Sequence, residues 1–243
     1  MKKEVEKQAY DFTNKVVLVT GGTGALGSAI VKSFTSCNAI VISTYFVEKK
    51  TEPLESQSKS KVHLIKVDIT NEEEVKNLSS GILRDYGPIH VLVNVVGGYL
   101  GGNSVAELDE KDWDLMMNTN LKSAYLISKH VIPMMMSSRN GKIVHISSKT
   151  GLKAGGYDSA YAASKAGLIR LVDSLAEEVK EFSVNVNCIM PSIIDTKANR
   201  TAMPNADFSK WLKPQDLANV VLFLCSEDAK VITGAAIPTY GFS

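Results

Sequence analysis

The chain has 243 residues, 44% hydrophobic and 22% charged, ordinary values for a globular protein able to bury a substantial core. Its formal net charge of +1 at pH 7 gives no strong field to recruit nucleic acid or an anionic membrane, so neither is expected as a partner. The cysteines, Cys37, Cys188 and Cys225, show no CxxC or Cys/His spacing suited to a metal and read as free thiols in a reducing compartment.

Met1–Phe12 is charged and lacks an apolar h-region, so residues 1–13 read as an extension and residues 14–243 as one domain. Lys15–Thr20 is a short β-branched run, the pattern of a buried parallel strand. A glycine-rich turn follows, then an amphipathic helix over Ala25–Ser36. Strands are predicted at Ile40–Thr44 and Val62–Val67, and a helix with an acidic first turn at Asn71–Tyr86. Val91–Val96 is the next strand, and Asp109–Ser137 is largely helical, with Pro133 expected to kink or end it. Lys142–Ser147 is a fifth strand, Ser159–Phe182 a long helix and Val184–Ile189 a sixth strand. Pro214–Ser226 reads as helix and Ala235–Pro238 as a final strand. No apolar stretch is long enough to span a bilayer, and a cytoplasmic location is the default. Regular alternation of strand and helix implies an α/β fold: a Rossmann-type, doubly wound parallel sheet with helices on both faces. Ligands of such sheets sit beyond the carboxyl ends of the strands, where strand order reverses.

The chemistry-bearing residues fall at those ends. Thr20–Gly27 reads TGGTGALG, with Gly21, Gly24 and Gly27 recurring every three residues between a strand and a helix. Glycines there permit a tight turn and bring phosphate close to the N–H groups at a helix N-terminus. The segment is not a P-loop, because no Gly-Lys-Ser/Thr follows. Tyr161 and Lys165, four residues apart in the long helix, share one face. Alone, such a pair is often a surface contact; beside a nucleotide turn it has a chemical reading. A phenol titrates near pH ~10, and an ammonium ~4 Å away is expected to lower that by roughly 3 pK units, enough for proton exchange near neutrality. Ser148, thirteen residues upstream at a strand end, could donate to a carbonyl oxygen as charge builds on it. The four histidines show no metal spacing; no metal site is expected, and His145 reads as core packing.

These residues resemble the short-chain dehydrogenase/reductase family over about Asn14 to Ser243, through Tyr161-Ala162-Ala163-Ser164-Lys165, the glycine turn and Asn118-Thr119-Asn120-Leu121. The resemblance implies an NAD(P)-dependent oxidoreductase acting on a small carbonyl or secondary alcohol. Its catalytic set would be Ser148 (or its neighbour Ser147), Tyr161, Lys165 and Asn120, with Asn118 as a rival for the last. It implies cofactor contacts from Gly21, Thr23, Gly24, Leu26, Gly27, Tyr45, Asp68, Ile69, Asn94, Gly97, Tyr161, Lys165, Pro191, Ile194 and Thr196. It further implies a homodimer or homotetramer built on the two long central helices. Departures mark a divergent branch: Ala25 stands where the family has its middle glycine, Val95 and Val96 replace polar and small residues, and Ser192 follows Pro191. At the end of the second strand Tyr45 stands where NAD-preferring members carry an acid, which favours NADP. Lys49 or Lys50 could reach a 2′-phosphate, while Glu48, a possible ribose partner, keeps NAD open. Tyr99, Leu152, Tyr157, Met203, Phe208 and Trp211 are candidates for an apolar substrate wall. Two other readings share this fold: a nucleotide-sensing regulator without turnover, and an epimerase or dehydratase that retains NAD.

Overall fold

The structure, a computed structural model, describes residues 10–47 and 62–241. The described residues form a seven-stranded, all-parallel sheet in the order β3-β2-β1-β4-β5-β6-β7. The strands are β1 (Val16–Thr20), β2 (Ile40–Tyr45), β3 (Val62–Lys66), β4 (Ile89–Asn94), β5 (Gly141–Ile146), β6 (Val184–Pro191) and β7 (Ala236–Thr239). Between them run α1 (Ala25–Ser36), α2 (Glu72–Tyr86), α3 (Glu110–Met116), α4 (Ser123–Ser138), α5 (Lys149–Leu152), α6 (Ser159–Val179), α7 (Lys197–Ala202) and α8 (Pro214–Cys225).

Central strands β1, β5 and β6 are buried along their whole length; β1 reads as an unbroken apolar run, while β5 and β6 also bury Lys142, His145, Asn185 and Asn187. One sheet face packs against α2, α4 and α6 through residues such as Leu78, Ile127 and Val172. The other packs against α1 and α8 through Ile30, Phe34, Val221 and Leu224. Helix α2 starts where its sequence dictates: the Asn71 side chain accepts from the N–H groups of Glu73 and Glu74 (3.1 and 3.3 Å), and three glutamates face the positive end of the helix dipole.

Ahead of β1, Phe12 is buried, its ring meets Phe34 edge-on at 4.9 Å, and its N–H donates to the Cys37 carbonyl. One expectation needs correction: Pro133 does not end its helix, and α4 runs through it. Pro133 is exposed, so water can satisfy the Lys129 carbonyl left without an N–H donor. The irregularity lies earlier, where a π-helical turn over Met117–Lys122 joins α3 to α4.

A buried polar chain ties β1, β4, β5 and α4 together. Thr20 Oγ1 accepts from Val95 N (3.2 Å), so its hydrogen goes to Asn94 Oδ1 (2.5 Å). That fixes the Asn94 amide with Nδ2 toward His145 Nδ1 (3.3 Å), which must accept. His145 Nε2 then carries the ring hydrogen and donates to Ser128 Oγ (3.2 Å). Both ring nitrogens of the fully buried His145 are thus committed in the neutral form, so its role is more specific than core packing. Burial, with the nearby Lys165 charge, pulls its pKa from 6.5 down to about 4. Below pH 6.5 the unfolded chain takes up a proton that the folded chain refuses until about pH 4, so stability falls as pH drops through that window. Urea denaturation is expected to show a loss of about 2 kcal/mol between pH 7 and pH 5 from this residue. His145→Gln should flatten that dependence, and identical pH profiles for the two proteins would refute the assignment.

Candidate active site

Strand order reverses between β1 and β4, and a cleft of about 1080 Å³ opens there across the carboxyl ends of the sheet. At β1 the turn leaves the sheet with Gly21 in the left-handed region (φ 66°), and α1 begins at Ala25. No side chain caps α1 and no acidic residue sits in its first turn, so its first N–H groups and positive dipole end face the cleft uncompensated. Gly27 lies so close to the turn that a Cβ there would overlap the Gly21 carbonyl oxygen. Thr23, Gly24, Leu26 and Gly27 all line this corner.

Tyr45, at the end of β2, lines the next wall with Thr44, Phe46 and Val47. Glu48, Lys49 and Lys50 lie outside the described residues. Beyond β3, Asp68 accepts from Thr70 N and Oγ1 (2.9 and 2.7 Å), which locks the Asp68-Ile69-Thr70 turn against the cleft. Beyond β6, Pro191, Ile194 and Thr196 line the far wall; Asn199 holds the Ile194 carbonyl (2.8 Å), and Thr196 Oγ1 caps α7 by accepting from Asn199 N (3.1 Å).

The polar groups converge at the end of β5. Lys165 is buried, and its Nζ donates to the Ile146 carbonyl (2.9 Å). Burial pulls its pKa from 10.5 down to about 8. Tyr161, one turn earlier on α6, lines the cleft and is hydrogen-bonded by the Ser148 hydroxyl. Ser148 also accepts from Thr150 N (3.2 Å), which orients it at the start of α5. Ser147 faces the other way, donating to the Lys165 carbonyl (3.0 Å), so the two serines divide into one toward the phenol and one bracing the helix. Asn120 sits in the π-helical turn, fully buried: Oδ1 accepts from Gly98 N (2.9 Å), and Nδ2 donates to Gly98 O (3.1 Å) and Ser164 Oγ (3.0 Å). Asn118 is exposed. Gly97 has no side chain between Asn120 and Lys165; a Cβ there would lie 2.9 Å from Asn120 Oδ1 and 3.0 Å from Lys165 Nζ.

A family model described as short chain dehydrogenase matches residues 15–207. The chain belongs to that family. It is 31% identical over 234 residues to 3-oxoacyl-[acyl-carrier-protein] reductase FabG of Thermotoga maritima, covering 92% of this chain and 95% of that one. It is 33% identical over 241 residues to the same-named protein of Chlamydia muridarum, covering 94% and 96%. A solved structure titled "ElxO with NADP Bound" matches with a TM-score of 0.87 at 29% identity, covering 93% of this chain and 97% of that one. This dehydrogenase is an NAD(P)-dependent oxidoreductase, and the regulator, epimerase and dehydratase readings are not favoured.

The cleft fits such a cofactor on its own geometry: an uncapped helix N-terminus suits a pyrophosphate, and a buried lysine stands at the opposite end. All the residues expected to contact cofactor line the cleft except Asn94, whose amide is spent on Thr20 and His145 within the sheet. Asn120 likewise stands behind the wall and not in it. The expected electrostatics of Tyr161 are overturned. Its phenol is pushed above 10, chiefly by burial and further by the Asp158 charge, with the Ser148 hydrogen bond working the other way. Lys165 Nζ is aimed at the Ile146 carbonyl and lies 5.9 Å from the Tyr161 ring centre, so it does not depress the phenol as a contact pair would. Among the proposed wall residues, Tyr99 and Met203 line the cleft; Leu152 and Tyr157 are exposed, and Phe208 packs on Trp211 (4.7 Å). The sequence reading missed the carboxylate of Asp158 at this site.

Gly27→Val is expected to weaken NAD(P)H binding by about 100-fold or more, through displacement of α1 from the turn. Gly24→Ala, whose Cβ would meet its nearest neighbour at an ordinary 3.4 Å, should bind within about threefold of wild type. Titration of reduced-nicotinamide fluorescence measures both, and unimpaired binding by Gly27→Val would refute this placement of the phosphate turn.

Proposed function

We propose that this enzyme reduces a ketone carbonyl with NADPH, with Tyr161 as proton donor and Ser148 as hydrogen-bond donor to the carbonyl oxygen. The observation that carries the reading is the Ser148–Tyr161 hydrogen bond in the cleft beside the buried Lys165. The nicotinamide supplies the hydride. The phenol O–H gives its proton to the oxygen as negative charge develops there, and Ser148 stabilises that charge. Lys165 serves as a donor to ribose hydroxyls and a positive neighbour for the phenolate left behind, and Asn120 fixes the Gly97–Gly98 backbone beside it. A phenol held above its ordinary pKa is protonated at neutral pH, which suits reduction.

The names of the relatives direct the substrate proposal toward a 3-oxoacyl thioester, a neutral ketone on a carrier. NADPH is preferred on this reading because Thr44, Tyr45, Phe46 and Val47 bring no carboxylate to the ribose corner. We also assign a homodimer or homotetramer, supported by the exposed Trp113, Leu115 and Tyr125 on the α3–α4 unit. A cytoplasmic location is supported by the free thiols of Cys37, Cys188 and Cys225. No helix among the described residues is long and apolar enough to cross a membrane.

Tyr161→Phe is expected to lower the turnover of a 3-oxoacyl thioester by about 10³-fold or more while leaving NADPH affinity within about twofold. Retained turnover would remove the tyrosine from its role. With wild type, kcat/KM for NADPH should exceed that for NADH, measured by nicotinamide absorbance at equal concentrations; a preference for NADH would reverse the cofactor assignment.

A further inference from the structure

Beyond the Ser148–Tyr161–Lys165 set, two groups from opposite sides of the cleft close over the phenol. Tyr99, in the loop after β4, packs edge-on against Tyr161 with ring centres 5.0 Å apart. Its hydroxyl donates to Asp158 Oδ1 (2.9 Å), from the turn just before α6. The two segments are joined a second time, where Gly102 N donates to the Tyr157 carbonyl (2.8 Å). Tyr157 is held in the left-handed region (φ 65°) to present that carbonyl, a conformation a bulky residue adopts only when its surroundings impose it. Gly101 passes so close beneath the pair that a Cβ on it would strike both the Asp158 carboxylate and the Tyr99 hydroxyl. Tyr99 and Asp158 both line the cleft although Tyr99 remains largely exposed, so the contact is made at the mouth of the site and not in the core.

We propose that Asp158, tethered by Tyr99, is a positioning residue for Tyr161: the pair braces the phenol ring and holds a negative charge beside it, which keeps the phenol in its protonated form to higher pH. The proposal rests on the functional reading above and adds a residue pair that the reaction itself does not require. In the reductive direction the phenol O–H breaks and the carbonyl oxygen gains that hydrogen; a neighbouring carboxylate opposes the phenolate that results and favours its prompt reprotonation from solvent. In the oxidative direction the phenolate must form first, so the same charge moves alcohol oxidation to higher pH.

The groups facing the phenol can be accounted for element by element. Lys165 from α6 contributes the positive charge, directed at the Ile146 carbonyl. Ser148 contributes a hydrogen bond from the end of β5, and Tyr99 and Asp158 stand over the ring from the two loops. Asn120, from the π-helical turn, is neutral, and Lys149 on α5 directs its ammonium over the Tyr240 ring at 5.1 Å. The Asp158 carboxylate raises the phenol's proton affinity on top of burial.

Asp158→Asn keeps the side-chain size and removes the charge. Phenolate formation by Tyr161 can be read in the ligand-free protein as near-ultraviolet absorbance, by difference between each protein and its Tyr161→Phe counterpart. Asp158→Asn is expected to move that titration down by about half a pH unit or more. The alkaline limb of alcohol oxidation should move with it, with NADP affinity unchanged within about twofold. Tyr99→Phe keeps the ring contact and removes the tether, so the carboxylate is released from its place beside the phenol and the titration should move the same way by a smaller amount. A role in folding alone would alter stability and leave both titrations in place, and unshifted titrations in both variants overturn the proposal. Because the absorbance readout needs no substrate, a wild-type protein inert toward every ketone offered would refute the functional reading without deciding this one.

Discussion

The burial of one ammonium organises the site. Lys165 lies on α6 inside the molecule, where a charge far from water is stable only with hydrogen-bond partners. The structure supplies a single carbonyl, that of Ile146, at the point where β5 leaves the sheet. It lines the cleft wall beside Gly97, whose missing side chain leaves it room. The cost of holding that charge appears in its proton affinity, drawn down to about 8. An oxygen-rich ligand in the cleft, such as a ribose, would give the ammonium what the protein withholds. Binding and proton affinity are therefore coupled at this residue, and its positive charge is expressed most fully with such a ligand in place.

Strand β5 connects this site to the fold. Its residues alternate between the two cores: Ile143 and His145 face the α4 side, Val144 and Ile146 the α8 side. Directly after it come Ser147, bracing α6 through the Lys165 carbonyl, and Ser148, turned to the phenol. The neutral His145 is an acceptable neighbour for a buried ammonium, whereas a protonated one would add a second positive charge to the same interior. The polar chain from Thr20 to Ser128 therefore does two things. It pins the strands on either side of the switch point, and it keeps the back of the active site uncharged.

Much of this was legible in the sequence because parallel strands buried on both faces leave unbroken apolar runs, and because Asn71 and Pro214 announce helix starts chemically. The glycine turn and the Tyr161/Lys165 spacing were legible because both are local patterns, fixed within a few residues, and their residues line the cleft. What escaped was set by contacts distant in sequence or by backbone hydrogen-bond register. The π-helical turn is an example: hydrophobic periodicity does not report whether a helix has taken one extra residue. The polar run Met117-Asn118-Thr119-Asn120, poor in helix formers, was the available sign.

The mistaken electrostatics of Tyr161 carry the more general lesson. Helical spacing places two side chains on one face but does not decide where their polar ends point. Lysine has a long stem, and here the stem carries Nζ to the Ile146 carbonyl while the phenol oxygen engages Ser148. Coulomb's law applied to an assumed ~4 Å separation therefore overstated the coupling. Desolvation, which acts on the phenol wherever the lysine points, became the larger effect, and Asp158 added to it. The resulting site is asymmetric: the phenol is made reluctant to ionise and the ammonium readier to lose its proton. Each group is thereby moved toward its neutral form, yet at about 8 the lysine still carries its charge at neutral pH while the phenol keeps its proton.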